Sequence, residues 1–311
     1  MTTPLIDFHN HYVGPRWTLA SSAGVTPAQG AFWARHAPRL GSLDAVLEDV
    51  HGGDLTARLI NTPTALFTDP DQDVPADEFR RINDHLAEVV AGHPGRLHAL
   101  ASVDIFQGDS AAWEIERAVR DLGLRGVFVE SAKGDRLLDA PEARPGLAAA
   151  ARLGVPVFAH PVAPPPALGG WIRNGRVGLL HARGSINAAS LIALIEGGVF
   201  TELPELKVVV TALAIGGVVL SQSFADAVAD ADVRAILKRN VHSDIMGFDA
   251  AAIATLVRVL GVTNVVAGSD WPIVSDGPIR GRLFPALAAA GLTPAEQELV
   301  AAGNAARLLG L

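Results

Sequence analysis

Three histidines and one aspartate carry the most specific chemistry in this chain. His9 and His11 form an HxH pair in "DFHNH", His160 closes "VPVFAH", and Asp270 closes "NVVAGSD". Histidines two apart on a strand point the same way, so His9 and His11 could grip one ion together. A third imidazole and a carboxylate complete a site of three nitrogens and one oxygen. That set suits zinc first, and also accepts manganese, iron or cobalt. An open position would hold water, whose pKa a bound metal lowers towards about 7. Asp270 could both bind the ion and take the proton of that water.

These residues matter together because of the elements that present them. Eight short apolar runs read as strands: Leu5–His9, Ala57–Thr62, Leu97–Val103, Arg125–Glu130, Val155–His160, Lys207–Leu213, Asn240–Asp244 and Asn264–Ser269. They are continuous apolar runs, as strands buried on both faces should be. Helical patterns lie between them. In "RRINDHLAEVVAG", Ile82, Leu86, Val89 and Val90 share one face, and Ala143–Leu153, Ile186–Ile195, Ala225–Leu237 and Ala250–Leu260 are similar. The last helix opens on "TPAE", with Thr293 suited to the N-cap, Pro294 to the first helical position and Glu296 to the reciprocal bond. The alternation predicts an α/β fold, a single (β/α)8 TIM barrel over residues 1–311. An open doubly wound sheet would call for a glycine-rich phosphate loop after the first strand, and "HNHYVGPRW" lacks that spacing. In a barrel, His9, His11, His160 and Asp270 all meet at one mouth.

Two long connections, Tyr12–Ser42 and Pro161–Gly184, follow strands 1 and 5, so both belong to the mouth, where active sites of this fold are built. The second carries Trp171, Arg173, Arg176, His181 and Arg183. Guanidinium groups recognise carboxylates bidentately, so Arg173, Arg176 and Arg183 read either as a lid that holds an acidic substrate or as solvated surface arginines. Trp17 and Trp171, with Phe32 and Trp33, could line a pocket for a planar molecule or pack the loops down.

Composition narrows the rest. The 311 residues are 49% hydrophobic and 19% charged, with a net charge of −8 and no cysteine. A large core is affordable. Disulfides, thiolate metal sites and cysteine nucleophiles are excluded, and the acidic balance argues against nucleic acid or an anionic membrane as partner. No apolar run is long and uninterrupted enough for a membrane helix, and the N-terminus lacks a signal-peptide pattern. A cytoplasmic protein with a small-molecule substrate is the expectation.

The motifs "IDFHNH", "GVPVFAHP" and "NVVAGSDWP" resemble the amidohydrolase-related enzymes of the amidohydrolase superfamily, in the branch containing 2-amino-3-carboxymuconate-6-semialdehyde decarboxylase. "GGVFTELPELKVVV" and "LVAAGNAARLLGL", with Asn304, extend the resemblance over nearly the whole chain. It implies a (β/α)8 barrel and one divalent ion, often zinc, held by His9, His11, His160 and Asp270. A homodimer is a frequent assembly in that family. Lys133 lies past the end of strand 4, which favours one metal over two. Asn83-Asp84 matches a pair the family carries and reads as structural.

One departure bears on the reaction. The family usually places a histidine at the end of strand 6, where this chain has "KVVVTALAIGG" and the position falls on Ala212 or Ala214. His242, on strand 7 with Asp244, and His181, in the loop after strand 5, are the residues that could compensate. With the usual histidine missing, the expected reaction is metal-dependent hydrolysis of a lactone, amide or similar bond, with Asp270 as general base and acid. The alternatives are a non-oxidative decarboxylase of a small unsaturated or aromatic acid, and a catalytically silent ligand-binding barrel.

Overall fold

The computed structural model describes residues 2–15, 27–63, 74–162, 169–172, 175–229, 231–275 and 277–311. Its eight barrel strands are β1 (Ile6–Asp7), β2 (Ala57–Ile60), β3 in two segments (Leu97–Ala99 and Ala101–Ser102), β4 (Val127–Glu130), β5 (Val157–His160), β6 (Val208–Val210), β7 (Val241–Asp244) and β8 (Val265–Val266). All neighbouring pairs are parallel. The ring closes where Phe8 N donates to Ala267 O at 2.9 Å and Asn10 bridges Trp271. The chain is therefore a TIM barrel, each expected strand being present in a shorter form.

Two cores hold it. Phe8, Leu59, Leu100, Phe128, Phe158, Val209 and Val266 fill the barrel interior, as large side chains from successive strands do in this fold. A second, larger cluster packs the outer faces of β4 to β8 against the helices. The helix 294–298 begins as its sequence demands: Thr293 N donates to Glu296 Oε2 at 2.8 Å and Glu296 N to Thr293 Oγ1 at 3.4 Å, a complete capping box.

The connections after β1 and β5 contain more helix than their composition suggested. Pro27–Leu40 is helical. After β5 a short turn, Gly169–Ile172, precedes a helix from Arg176 to Glu196, which starts ten residues before the expected Ile186. By length and composition that helix is apolar enough to cross a membrane. Its Ile186, Leu191, Leu194 and Ile195 are buried within the protein, however, and Gly184 lets it press onto the segment after β6, where a Cβ would lie 2.5 Å from Leu213 O. The expected helix over Ala225–Leu237 is instead a single turn at Ala225–Ala227 followed by Val233–Asn240.

Candidate metal site at the barrel mouth

His9 and His11 lie just past the end of β1, His160 is the last residue of β5, and Asp270 follows β8. One ligand atom from each falls within 4.8 Å of all the others, and all four residues are buried. The rings of His9 and His11 are 5.1 Å apart, and that of His160 is 4.8 Å from His11. Asp270 Oδ1 lies 3.1 Å from His11 Nε2 and 3.5 Å from His9 Nε2. Asp270 adopts φ +52°, a conformation uncommon outside glycine, and its carbonyl accepts from Ile273 N and Val274 N in the turn that follows.

Each HxH ring is oriented from behind. His9 Nδ1 donates to Asp244 Oδ2 at 2.5 Å. A carboxylate only accepts, so this bond puts the proton on Nδ1 and leaves the Nε2 lone pair facing the cluster. His11 Nδ1 donates to Asn61 Oδ1 at 2.9 Å, and the Asn61 amide is itself set by donating to Asn10 O at 2.8 Å. Outer partners of this kind are what metal-binding imidazoles require. His9 Nε2 and Asp270 Oδ1 are buried without a hydrogen-bond partner among the described residues. A cation between them would satisfy both atoms, so the residues fit one divalent ion.

The electrostatics agree. Burial lowers His11, and burial, His11 and Arg183 hold His160 well below the usual imidazole range, so both present neutral nitrogens. Burial acts to raise Asp270, but His9, His11 and Arg183 outweigh it and keep the carboxyl below its ordinary value. Burial opposes a charge on His9, yet Asp270 and Asp244 together raise it. His11 and His160, neutral beside an ionised Asp270, are in the protonation states metal binding needs, and the raised His9 marks a place where a cation is favoured.

A buried polar stack fixes the floor of the site. Asp7 accepts from Ser269 N at 2.9 Å and Ser269 Oγ at 2.6 Å, tying β1 to the segment that carries Asp270. Arg58, fully buried, donates to Asp49 at 2.6 Å and Val46 O at 2.8 Å, and its guanidinium lies 4.6 Å from the Trp271 ring centroid. Burial pushes the Asp7 carboxyl up to about 6 despite Arg58 nearby. Gly268 is required by close approach: a Cβ there would sit 2.8 Å from His9 Cβ and 2.9 Å from Asp244 Cβ.

The other candidate residues are distributed differently. His242 shares the inward face of β7 with Asp244 but is two residues nearer the strand's start. Burial, Lys207 and Arg307 lower it to about 4, and both cations belong to the N-terminal end of the barrel. His181 is exposed on the 176–196 helix and stacks on Trp171 with ring centroids 5.0 Å apart. Neither histidine joins the cluster. Arg176 is exposed and reaches Ile273 O at 3.3 Å. Trp17 and Arg173 lie outside the described residues, as do the side chains of Phe32 and Trp33. Lys133 pairs with Asp104 at 2.5 Å. Asn83 holds the backbone of Ser102 on β3 and bonds Glu114, as a structural residue would. At the β6 end, Ala212 N donates to Asp244 Oδ1 at 2.8 Å.

Sequence reading missed Asp7, Asn61 and Gly268, and it named Asp244 only beside His242, without its bond to His9. Asp244 had a usable signal, a carboxylate at the end of an apolar strand like Asp270. Asn61 and Gly268 had none apart from their place at strand ends.

Barrel and donor set together define a TIM-barrel enzyme whose mouth can hold one metal ion. The amidohydrolase family profile matches residues 6–311, and the chain belongs to that family. It is 32% identical over 216 residues to gamma-resorcylate decarboxylase of Rhizobium sp. (strain MTP-10005), a match covering 66% of this chain and 64% of that protein, less than two thirds of its length. It is 26% identical to 2-amino-3-carboxymuconate-6-semialdehyde decarboxylase of Dictyostelium discoideum, over 86% of this chain and 76% of that one. Among solved structures, 5-carboxyvanillate decarboxylase from Sphingomonas paucimobilis superposes with a TM-score of 0.81 at 21% identity over the full length of both chains. A dihydroxybenzoic acid decarboxylase from Polaromonas sp. JS666, with bound manganese and 2-nitroresorcinol, gives 0.81 at 20% identity over 100% of this chain and 98% of that one. At such identities the structural likeness speaks for the fold.

These relatives correct the expectation of hydrolysis. That reading took the missing strand-6 histidine as evidence against decarboxylation, yet the named relatives are decarboxylases. One alanine decided too much: the same three imidazoles and carboxylate can support either reaction, so loss of one neighbour does not select between them.

Proposed function

We propose that the protein is a metal-dependent, non-oxidative decarboxylase of a small aromatic or unsaturated carboxylic acid. The observation that carries this reading is the buried cluster of His9, His11, His160 and Asp270, in a chain whose named relatives release CO2. The metal is one divalent ion. Three imidazoles and a carboxylate suit zinc, and manganese, found in the Polaromonas neighbour, is equally admissible. When bound, the ion supplies Lewis-acid polarisation of substrate oxygens.

The chain's own residues do the rest. Decarboxylation breaks the carbon–carboxylate bond, releases CO2 and needs one proton on the carbon left behind. Asp270 is the carboxylate of the cluster; its Oδ1 faces His9 and His11, where the ion would be held, and its other oxygen is assigned the relay of that proton. His9 and His11 are held in one tautomer by Asp244 and Asn61, so the mouth keeps its geometry as charge moves.

The test is to load the protein with manganese or zinc and offer it a panel of ring and unsaturated carboxylic acids in deuterium oxide. CO2 release with one deuteron on the carbon that lost it is the expected result. Failure of every acid to release CO2 from fully metal-loaded protein overturns the reading.

A further inference from the structure

His9 and His11 each donate from Nδ1 to a side-chain oxygen, of Asp244 and Asn61. The third imidazole differs. His160 Nδ1 is buried and has no hydrogen-bond partner among the described residues. A carboxylate stands beside it: Glu130 Oε2 lies 3.6 Å away. The backbone puts it there. Glu130 and His160 end β4 and β5 as register partners, and Ser131 N donates to His160 O at 2.8 Å just beyond them. Two residues earlier, Phe128 and Phe158 are also partners, and both fill the barrel interior. Side chains two apart on a strand share a face, so Glu130 and His160 both point into the mouth, one layer above those rings. The ring centroid of His160 lies 5.1 Å from that of Phe128 and 6.1 Å from that of Phe158. These rings support the imidazole from below. They offer no strong acceptor, so they do not decide which nitrogen faces the ion.

The geometry points to Glu130 as the positioning residue of His160. An ionised carboxylate only accepts, so the nitrogen that faces it carries the proton. That leaves the Nε2 lone pair of His160 for the ion, the same arrangement as in His9 and His11. At 3.6 Å the contact is an ion-pair separation and not a hydrogen bond. A closing of about 0.7 Å, which a small turn of the ring supplies, brings it to the length of a charge-assisted bond. Each of the three imidazoles is then fixed from outside, and the carboxylate also makes His160 a better donor to the ion. This rests on the metal site of the decarboxylase reading and is independent of the reaction carried out there.

The full chain is loaded with cobalt, which this donor set accepts, and affinity is read by competition with a chelator. Glu130→Ala is expected to bind the ion about ten- to a hundredfold more weakly. Glu130→Gln keeps an acceptor of the same reach and is expected to recover most of that loss; it also serves if the alanine variant fails to fold. Glu130→Asp keeps the charge but is one methylene short, so it is expected to lose more than Glu130→Gln. The reverse order would mean that only the negative charge matters, and it overturns the assignment. The second readout is the proton spectrum of the cobalt-loaded protein in water, where the ring N–H of a ligand histidine gives a shifted, exchangeable signal. Three such signals are expected, and Glu130→Gln should move one and leave two in place. Absence of any signal that moves with Glu130 overturns the assignment, as does uptake of two ions per chain, which would make Glu130 a ligand itself. The two readings fail separately. No moved signal, in a protein that releases CO2, rejects the Glu130 assignment and keeps the decarboxylase reading. One moved signal, in a protein that releases no CO2 from any acid, does the reverse. Failure of the unaltered protein to take up cobalt overturns both.

Discussion

The barrel holds two kinds of buried histidine, a few ångströms apart in height. At the mouth, His9 sits between Asp244 and Asp270, and burial fails to keep its pKa down. Lower in the barrel, His242 is buried almost as fully, but the charges that act on it are Lys207 and Arg307, and its pKa falls to about 4. Desolvation alone makes any buried imidazole neutral. What separates the two is the sign of the neighbouring charge. His9, between two carboxylates, is in a place made for a cation, whereas His242, whose charged neighbours are cations and which lies away from the cluster, is held neutral and belongs to the packing. Residue type and burial therefore do not identify a ligand; the company at each end of the strands does.

Four experiments would break or sharpen that contrast. The largest effect should come from His9→Ala or Asp270→Asn, each removing one of four ligands. Metal content after gentle purification should drop well below one per chain, with turnover down at least about a thousandfold; normal metal content would dissolve the distinction. Next is Asp244→Ala, which leaves the ligands in place but frees the His9 ring. Metal affinity should fall about ten- to a hundredfold, read by competition with a chelator, and Asp244→Asn, which retains an acceptor, should lose less. A smaller loss, about tenfold, is expected for Asn61→Ala, whose partner His11 loses a neutral acceptor instead of a charged one.

His242→Gln should have the smallest effect at neutral pH, changing turnover and metal content less than threefold. Its signature is in acid. His242 has a folded-state pKa near 4, below the ordinary 6.5. Its contribution to stability is therefore complete above pH 6.5 and is lost as pH falls towards 4, where the unfolded chain binds the extra proton first. The variant should lack this loss, so denaturation followed from pH 7 to 4 should show the gap between the two proteins changing by up to about 3 kcal/mol. A parallel pH dependence would mean that His242 has the same pKa folded and unfolded, and the contrast with the mouth would fail.

Much of this was legible in residue order. Apolar runs at regular spacing gave the eight strands, since strands buried on both faces cannot hide their composition. Polar residues at the ends of those runs gave all four members of the cluster, because parallel strands in a closed barrel must bring their ends together. The Thr293–Glu296 box was readable for a simpler reason, that both partners are three residues apart. The helix from Arg176 to Ile186 was less visible, because its Gly178, His181 and Gly184 interrupt the apolar pattern, and packing against the β6 end compensates for weak propensity.

What the sequence determined by itself, then, is the barrel and the set of residues at its mouth, both written in local periodicity. Only the tertiary structure decided which histidine answers to which charge. His9 meets a carboxylate 235 positions away, and His242, two residues before that carboxylate, meets none among the described residues. Two residues along a strand amount to about 6.6 Å of height, enough to move a side chain from the carboxylates of the mouth to the cations beneath. Height in a closed barrel depends on the register of all eight strands together, and no single strand carries that information.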